Sequence, residues 1–329
     1  MDKFYLNNIH SGVVNIIIVN YNCYNYTIAC LSSLLKSSYK KFKIYIVDNL
    51  STDNSLKELE TWITANGIMN KTISYNSLEI NTLVKQNKSL ITLIKSDKNI
   101  GFGAGNNIII KPLSIVRPND YVWLLNPDTE VESEVLNDLV NLSKNKIKLI
   151  AGNVIYYYKN RNKIMYCGGF KVYKHFHGMK DIKDEKDINK IDAIAGTSLF
   201  THMSTYLDLG VLPEEYFMYW EETDFCTRAK LNNYSFSVNL KSKVFDHVGA
   251  SSKNNFLREY LYLLNGLKYH KKYNPFYMPL IIISTLVKLL KAIIFEDKIK
   301  RNALFYAHID FFKTLTNNKV NIKKRLLNT

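Results

Sequence analysis

The chain has 329 residues, 47% of them hydrophobic and 22% charged, which allows a sizeable core and excludes a disordered or fibrous protein. Lys and Arg outnumber Asp and Glu by 44 to 29, and the resulting +15 points to an anionic partner: nucleotide, nucleic acid or membrane surface. Cys23, Cys30, Cys167 and Cys226 are widely spaced with no CxxC pair, which argues against a zinc site and a disulfide framework, and MDKFYLNNIHSG has no signal-peptide character, so a cytoplasmic protein with reduced thiols is expected.

In chain order, VVNIIIV (13–19) is a continuous apolar run of the buried-strand type, and Ile28, Leu31, Leu34 and Leu35 recur at helical spacing behind it. KIYIVDN (43–49) is a second strand. STDNSLKELETWITANG is a second helix, with Ser51 or Asp53 as cap, Leu56, Leu59, Trp62 and Ile63 on one face and Gly67 as stop. Strands follow at 89–97 and 121–128, a helix at 131–145 and a strand at 148–157. This alternation predicts an α/β protein with a doubly wound, mainly parallel sheet, whose ligands sit at the carboxyl ends of the strands. Beyond it, 191–210 reads as strand, turn and helix, 221–233 as a short helix, and 235–239 and 244–252 as two strands. From about residue 256 the chain turns basic and helical, with a nearly apolar run at 279–295.

Polar residues follow each strand. Asp48-Asn49 suits a ribose or base, or equally a turn. NIGFGAGNN (99–107) has GxGxG rather than GxGxxG spacing, so it is as compatible with a turn and helix start as with a phosphate loop. Asp128 in LLNPDTEV can hold Mg2+ or Mn2+ against a diphosphate, or cap a helix, with Glu130 as an outer partner or part of the next helix. His247 in VFDHVGA is a candidate metal ligand or a structural hydrogen-bonder. In WEETDFCTRA, Glu221, Asp224 and Arg228 fall on one helical stripe, carboxylates answered by a guanidinium, while Glu222 points elsewhere and stays available as a base. The aromatic lead-in of Tyr216, Phe217, Tyr219 and Trp220 suggests a cleft wall.

VNIIIVNYN, IVDNLSTDNS, DKNIGFGAGNN, YVWLLNPDTEV, AGTSLF, YFMYWEETDFCTRA and VFDHVGASS, in this order over residues 13 to 252, resemble glycosyltransferase family 2 with its GT-A fold, and within it the rhamnosyltransferase- and galactofuranosyltransferase-like branch. The resemblance implies a catalytic domain over 1–255, binding nucleotide-sugar at about 13–130 and acceptor at about 150–252, with a helical extension over 256–329. It implies that Val19, Tyr21, Asp48 and Asn49 hold the base and ribose, that Asn99 and Asn106 line the donor site, and that Asp128 and His247 hold the metal. Glu222 falls on the family's general-base position, with Glu221 as its rival, and Asp224 and Arg228 on the structural acid and arginine that follow. Trp220, Gly196 and Thr197 would orient the acceptor. Two departures are visible: the DxD pattern is reduced to NPDTE, and the base is Glu rather than Asp.

The activity implied is inverting transfer of a sugar from a dTDP-rhamnose- or UDP-hexose-type donor, with Mn2+ or Mg2+, to a hydroxyl of a lipid-linked surface polysaccharide. Glu222 would act as base on the face opposite the leaving diphosphate. Residues 279–295 are short for a bilayer span of about 20 residues. An interfacial helix on an anionic membrane surface is therefore expected, making the enzyme peripheral on the inner face of the cell membrane. Packing on the catalytic domain or in a homo-oligomer is the alternative for this helix. The rival functions are a catalytically inactive scaffold and a nucleic-acid-binding protein; the second leaves the carboxylate cluster without purpose.

Overall fold

The computed structural model describes residues 12–75, 77–86, 88–248 and 255–316. Two compact units make up the chain, a large α/β unit and a smaller helical one. The large unit runs β1 (Val14–Asn20), α1 (Tyr24–Leu34), β2 (Phe42–Asp48), α2 (Ser55–Ala65), β3 (Asn70–Ser74), α3 (Ser77–Gln86), β4 (Ile91–Lys95), α4 (Gly101–Val116) and β5 (Tyr121–Leu125). The chain continues through β6 (Thr129–Val131), α5 (Val135–Ser143), β7 (Leu149–Tyr157), β8 (Asn160–Cys167), β9 (Gly169–Val172), β10 (Met179–Asp181), β11 (Ala193–Ile194), β12 (Ser198–His202), α6 (Thr205–Leu209), α7 (Glu221–Leu231) and β13 (Ser235–Asp246), of which Val172, Met179, Lys180 and Glu221 count with the helical unit.

The main sheet has the order β3-β4-β2-β1-β5-β12-β7-β13-β6, with β8 beside β7. The pairs β3–β4, β4–β2, β2–β1 and β1–β5 are parallel, whereas β12 lies antiparallel to both β5 and β7. Strand alternation explains the two cores. Ile17, Val19, Val47, Val122 and Leu124 face α4, with Ile109 and Leu113, on one side. Ile16, Ile18, Ile44, Ile46 and Trp123 meet Leu31, Leu34, Leu59, Ile63 and Leu136 on the other. All seven residues of β1 are buried, as a strand covered on both faces requires.

Several expectations are corrected. β3 and α3 were not legible, because β3 (NKTIS) is mostly exposed and carries no apolar run. Of the two readings left open for 99–107, the structure has the turn and helix start: Asn99 and the N-cap Ile100 lead into α4 at Gly101. Residues 131–145 begin as strand β6, which pairs with β13 before α5 starts. The two late strands are one, β13, with a register shift between Asn239 and Val244. Residues 249–252 of the last motif, and the N-terminal 1–11, lie outside the described residues. All four cysteines are free and buried.

The helical unit consists of α8 (Asn255–Tyr273), α9 (Met278–Ile294) and α10 (Lys298–Leu315), together with the short segments 172–180 and 218–221. It therefore draws on more of the chain than the expected 256–329 tail. A Cβ on Gly266 of α8 would stand 2.1 Å from His177 Nε2 and 2.7 Å from Trp220 Cζ2, so glycine is what lets both segments close onto the helix.

Candidate active site

The carboxyl ends of β1 and β2 form one rim. Asn20 donates from Nδ2 to Asp48 Oδ1 at 2.9 Å and accepts at Oδ1 from Thr27 Oγ1 at 2.8 Å. Asp48 also accepts from the Ser51 hydroxyl and, at 3.1 Å, the Ser51 N–H. Asn49 donates to Asn99 Oδ1 at 3.0 Å and Gly101 O at 3.1 Å, and accepts from Ile100 N–H at 3.1 Å. Asn49 and Asn99 thus tie β2 to the start of α4, while Asp48 ties β1 to the loop after β2: in this structure their polar atoms hold the rim together. Tyr21 is exposed and Val19 is buried, with Gly105 close enough that a Cβ would sit 3.1 Å from Val19 Cγ1. Asn106 donates to Phe102 O at 2.9 Å, but its Oδ1 is buried without a hydrogen-bond partner. A buried polar atom left so is rare and fits a donor supplied by a ligand.

Asp128 follows β5 and is almost fully buried, and its Oδ1 also has no hydrogen-bond partner. The turn is held by Thr129 Oγ1 to Asn126 O at 2.8 Å and by Asn126 N–H to Thr197 O at 3.0 Å, which brings Thr197 beside it. His247 donates its backbone N–H to Asp128 O at 3.0 Å. Burial raises the Asp246 carboxyl well above the usual carboxylate range, and the negative charge of Asp128 raises it further. Two buried carboxyl groups that repel, one with an unpartnered oxygen, are a donor set that a hard divalent cation would satisfy. Among the described residues no three His, Cys, Asp or Glu side chains converge to hold a metal alone. The chain would supply part of a coordination shell and phosphate and water the rest.

The His247 ring is held from several sides. Its Nε2 lies 3.0 Å from Glu130 Oε1, and its face stacks on Tyr158 at 3.7 Å between centroids. Glu130 in turn meets Arg161 at 3.4 Å. Tyr158 and Arg161 were not anticipated. They sit at the β7–β8 hairpin, and only the β13–β6 pairing beside β7 brings them to His247. Tyr166 was missed likewise; its hydroxyl donates to Thr197 Oγ1 at 2.8 Å.

Glu222 lies in the first turn of α7, with its Cβ 3.8 Å from the position a Cβ on Gly196 would take. Phe102 Cε1 would stand 3.3 Å from the same point, so the missing side chain of Gly196 lets Phe102 and the start of α7 pack closely there. Part of Glu222 remains accessible to solvent. Burial nevertheless pushes its carboxyl up to about 7, against backbone N–H groups of Glu222 and Thr223 that favour the charged form. Asp224 is fully buried, accepting from Arg228 Nε at 3.1 Å and Tyr216 OH at 3.0 Å. The rest of the guanidinium donates to Leu209 O and Val211 O. The expected sharing of Arg228 between Asp224 and Glu221 is therefore corrected: all three guanidinium nitrogens are committed to Asp224 and two carbonyls. Glu221 is buried.

Trp220 is also corrected. It is fully buried in the helical unit, where its Nε1 donates to Tyr262 O at 2.9 Å and its ring packs on Tyr262, Tyr269 and His270, so it presents no wall to an acceptor. The backbone leading into α7 is strained: Phe217, Tyr219 and Trp220 have φ of 61°, 68° and 76°. Gly101, at φ +85°, is matched to this turn, because a Cβ there would stand 2.0 Å from Phe217 O.

Comparison with known proteins adds the following. Residues 15–206 match the profile of Glycosyl transferase family 2, well over half of the chain, although the match ends before α7 and β13. The low-salt glycan biosynthesis hexosyltransferase Agl10 of Haloferax volcanii is 26% identical over 149 residues, 44% of this chain and 47% of the relative, so the chain spans about half the length of that relative. Among solved structures, the mannosyltransferase PcManGT of Pyrobaculum calidifontis, in complex with GDP-Man and Mn2+, is similar with a TM-score of 0.55 at 11% identity, over 93% of this chain and 88% of that one. GalNAc-T7 with UDP, GalNAc and Mn2+ gives a TM-score of 0.56 at 15% identity, over 71% and 43% of the respective chains. The parallel half-sheet, the loops at its carboxyl edge and the family match agree: this chain belongs to glycosyl transferase family 2 and has the GT-A fold.

Proposed function

We propose that the protein is an inverting glycosyltransferase that moves a sugar from a nucleotide-sugar donor to a hydroxyl of a growing, lipid-linked glycan on the cytoplasmic side of the membrane. Glu222 carries this reading: a partly accessible carboxylate at a helix N-terminus, set near neutrality, with Gly196 packed against its Cβ. A base with such a pKa is ionised in a useful fraction at working pH and still accepts a proton readily.

In the reaction, Glu222 takes the proton of the acceptor hydroxyl as that oxygen forms its bond to the anomeric carbon. The bond from that carbon to the diphosphate breaks on the opposite face, its electron pair leaving with the phosphate oxygen, so configuration inverts. Gly196 and Thr197 border the acceptor side. The rim of Val19, Tyr21 and Asn106 receives the base and ribose, with Asp48, Asn49 and Asn99 holding its shape. A divalent ion, when bound by Asp128 with Asp246 and His247 near it, supplies Lewis-acid stabilisation of the departing diphosphate. The Mn2+ complexes of two fold relatives support that ion here.

For the donor we favour a dTDP-rhamnose- or UDP-hexose-type sugar, on the sequence resemblance to the rhamnosyl- and galactofuranosyltransferase-like branch; the hexosyltransferase relative supports a hexosyl donor. The test is a screen of nucleotide sugars with Mn2+, reading release of nucleoside diphosphate by wild type and Glu222→Gln. One donor consumed by wild type and spared by the variant supports the assignment. Failure to bind any nucleotide sugar would make the chain a scaffold.

A further inference from the structure

We propose that one face of α9 is a docking surface for an anionic lipid bilayer, and that the helix lies in the interface plane rather than crossing it. Pro275–Ile294 forms 20 residues long and apolar enough to cross a membrane by length and composition, with 17% of the window buried. At about 100° per residue, Leu280, Ile283, Leu286, Val287, Leu290, Ile293 and Ile294 share an arc of about 140°. Every one of them is 42–72% exposed. Phe276 and Phe295, 86% and 78% exposed, stand at its two ends. A contiguous apolar surface of this kind marks a binding face.

The opposite side of α9 decides between lying on and spanning. Ile281, Thr285 and Ala292 are buried there within the helical unit. Thr285 Oγ1 pairs with His308 Nε2 at 2.9 Å, Lys288 Nζ donates to His177 O at 2.8 Å, and Ser284 Oγ accepts from His177 N–H at 3.2 Å. A span would carry these polar partners into hydrocarbon or break them all, and unsatisfied polar groups are strongly disfavoured there. An interfacial helix keeps every one and still buries the exposed arc.

Charge selects the occupant. Ten Lys and Arg against four acids lie in residues 255–316. Lys271 and Lys272 precede the apolar face, Lys291 borders it, and Lys298 follows; all four are exposed. Of the acids at the α9–α10 turn, Asp297 is engaged as the cap of α10, accepting from Lys300 N–H at 2.9 Å. A second copy of the same face would bring like charges together, whereas anionic headgroups complement them.

The experiment is flotation of the full-length chain with vesicles of phosphatidylcholine alone and of about three parts phosphatidylcholine to one of phosphatidylglycerol. Wild type is expected to float with the anionic vesicles, less so in high salt and at least about tenfold more weakly with neutral ones. An Ile283→Glu/Leu290→Glu variant is expected to lose binding with an unchanged melting temperature, since both side chains are exposed, and a Lys271→Gln/Lys272→Gln/Lys298→Gln variant to lose the anionic preference. Wild type that fails to float, or variants that float as well as it does, would overturn the proposal. So would sedimentation velocity showing a wild-type dimer made monomeric by the double variant without vesicle binding. Donor hydrolysis measured alongside reports separately on the glycosyltransferase reading.

Discussion

Glu130 Oε1 lies 3.0 Å from His247 Nε2, so the acid that stands where a second metal-binding carboxylate would be is turned instead onto a histidine ring. Arg161 on Glu130 and Tyr158 on the ring complete the clamp. A carboxylate on one imidazole nitrogen fixes the tautomer and leaves the other nitrogen for a ligand. Glu130→Ala is therefore expected to weaken Mn2+ binding roughly tenfold to a hundredfold by titration calorimetry, with Glu130→Gln recovering part of it. Equal affinity in wild type and Glu130→Ala would remove Glu130 from the site.

Glu222→Gln should lower transfer by about a hundredfold to ten-thousandfold with donor affinity unchanged. The proton-accepting form is the carboxylate. Wild-type kcat/KM should therefore rise with pH through about 7 and level off above it. If Glu221→Gln is inactive and Glu222→Gln active, the base moves one residue along α7.

The same carboxyl makes a stability prediction. Its ordinary value is 4.5 and the fold raises it to about 7, so between these values the folded chain holds more protons than the unfolded one. Stability contributed by the protonated form is present below 4.5 and is lost as pH rises through about 7. Glu222→Gln should melt a few degrees above wild type at pH 8 and match it at pH 4. A lower melting temperature at pH 8 would show that the buried charge is compensated.

Arg228→Lys retains the charge but cannot reproduce the three-way geometry to Asp224, Leu209 O and Val211 O. We expect a loss of about 2–4 kcal/mol in denaturant unfolding, because a buried carboxylate and two carbonyls lose good partners. A change within about 0.5 kcal/mol would make this arginine a surface residue in energetic terms.

Gly101→Ala places a methyl group against Phe217 O at a backbone angle that side chains rarely adopt. The turn before α7 must then move, so a loss of more than about 3 kcal/mol, or of transfer with a milder loss, is expected. Thermal melting and the donor screen separate the two.

The chain alone carries the α/β architecture, because β1, β2, β4 and β5 are apolar on both faces and α1, α2 and α5 repeat apolar residues at helical spacing. It also carries the order of the motifs and the exposed phase of Glu222 on α7. Those features follow from local periodicity, which a single strand or helix already expresses. β3 was invisible because its burial is slight, and the β7–β8 hairpin because no Asn-Gly or Asp-Gly turn marks it. Only the tertiary structure decided how the polar residues divide their tasks. Trp220 reads as a cleft wall beside three acids, yet the carbonyl of Tyr262, 42 residues away, takes its N–H inside the helical unit. Glu130 reads as a helix start, yet a strand pairing more than a hundred residues distant turns it onto His247. A side chain's periodicity is local, but its hydrogen-bond partner is set by whichever distant backbone the fold brings within about 3 Å.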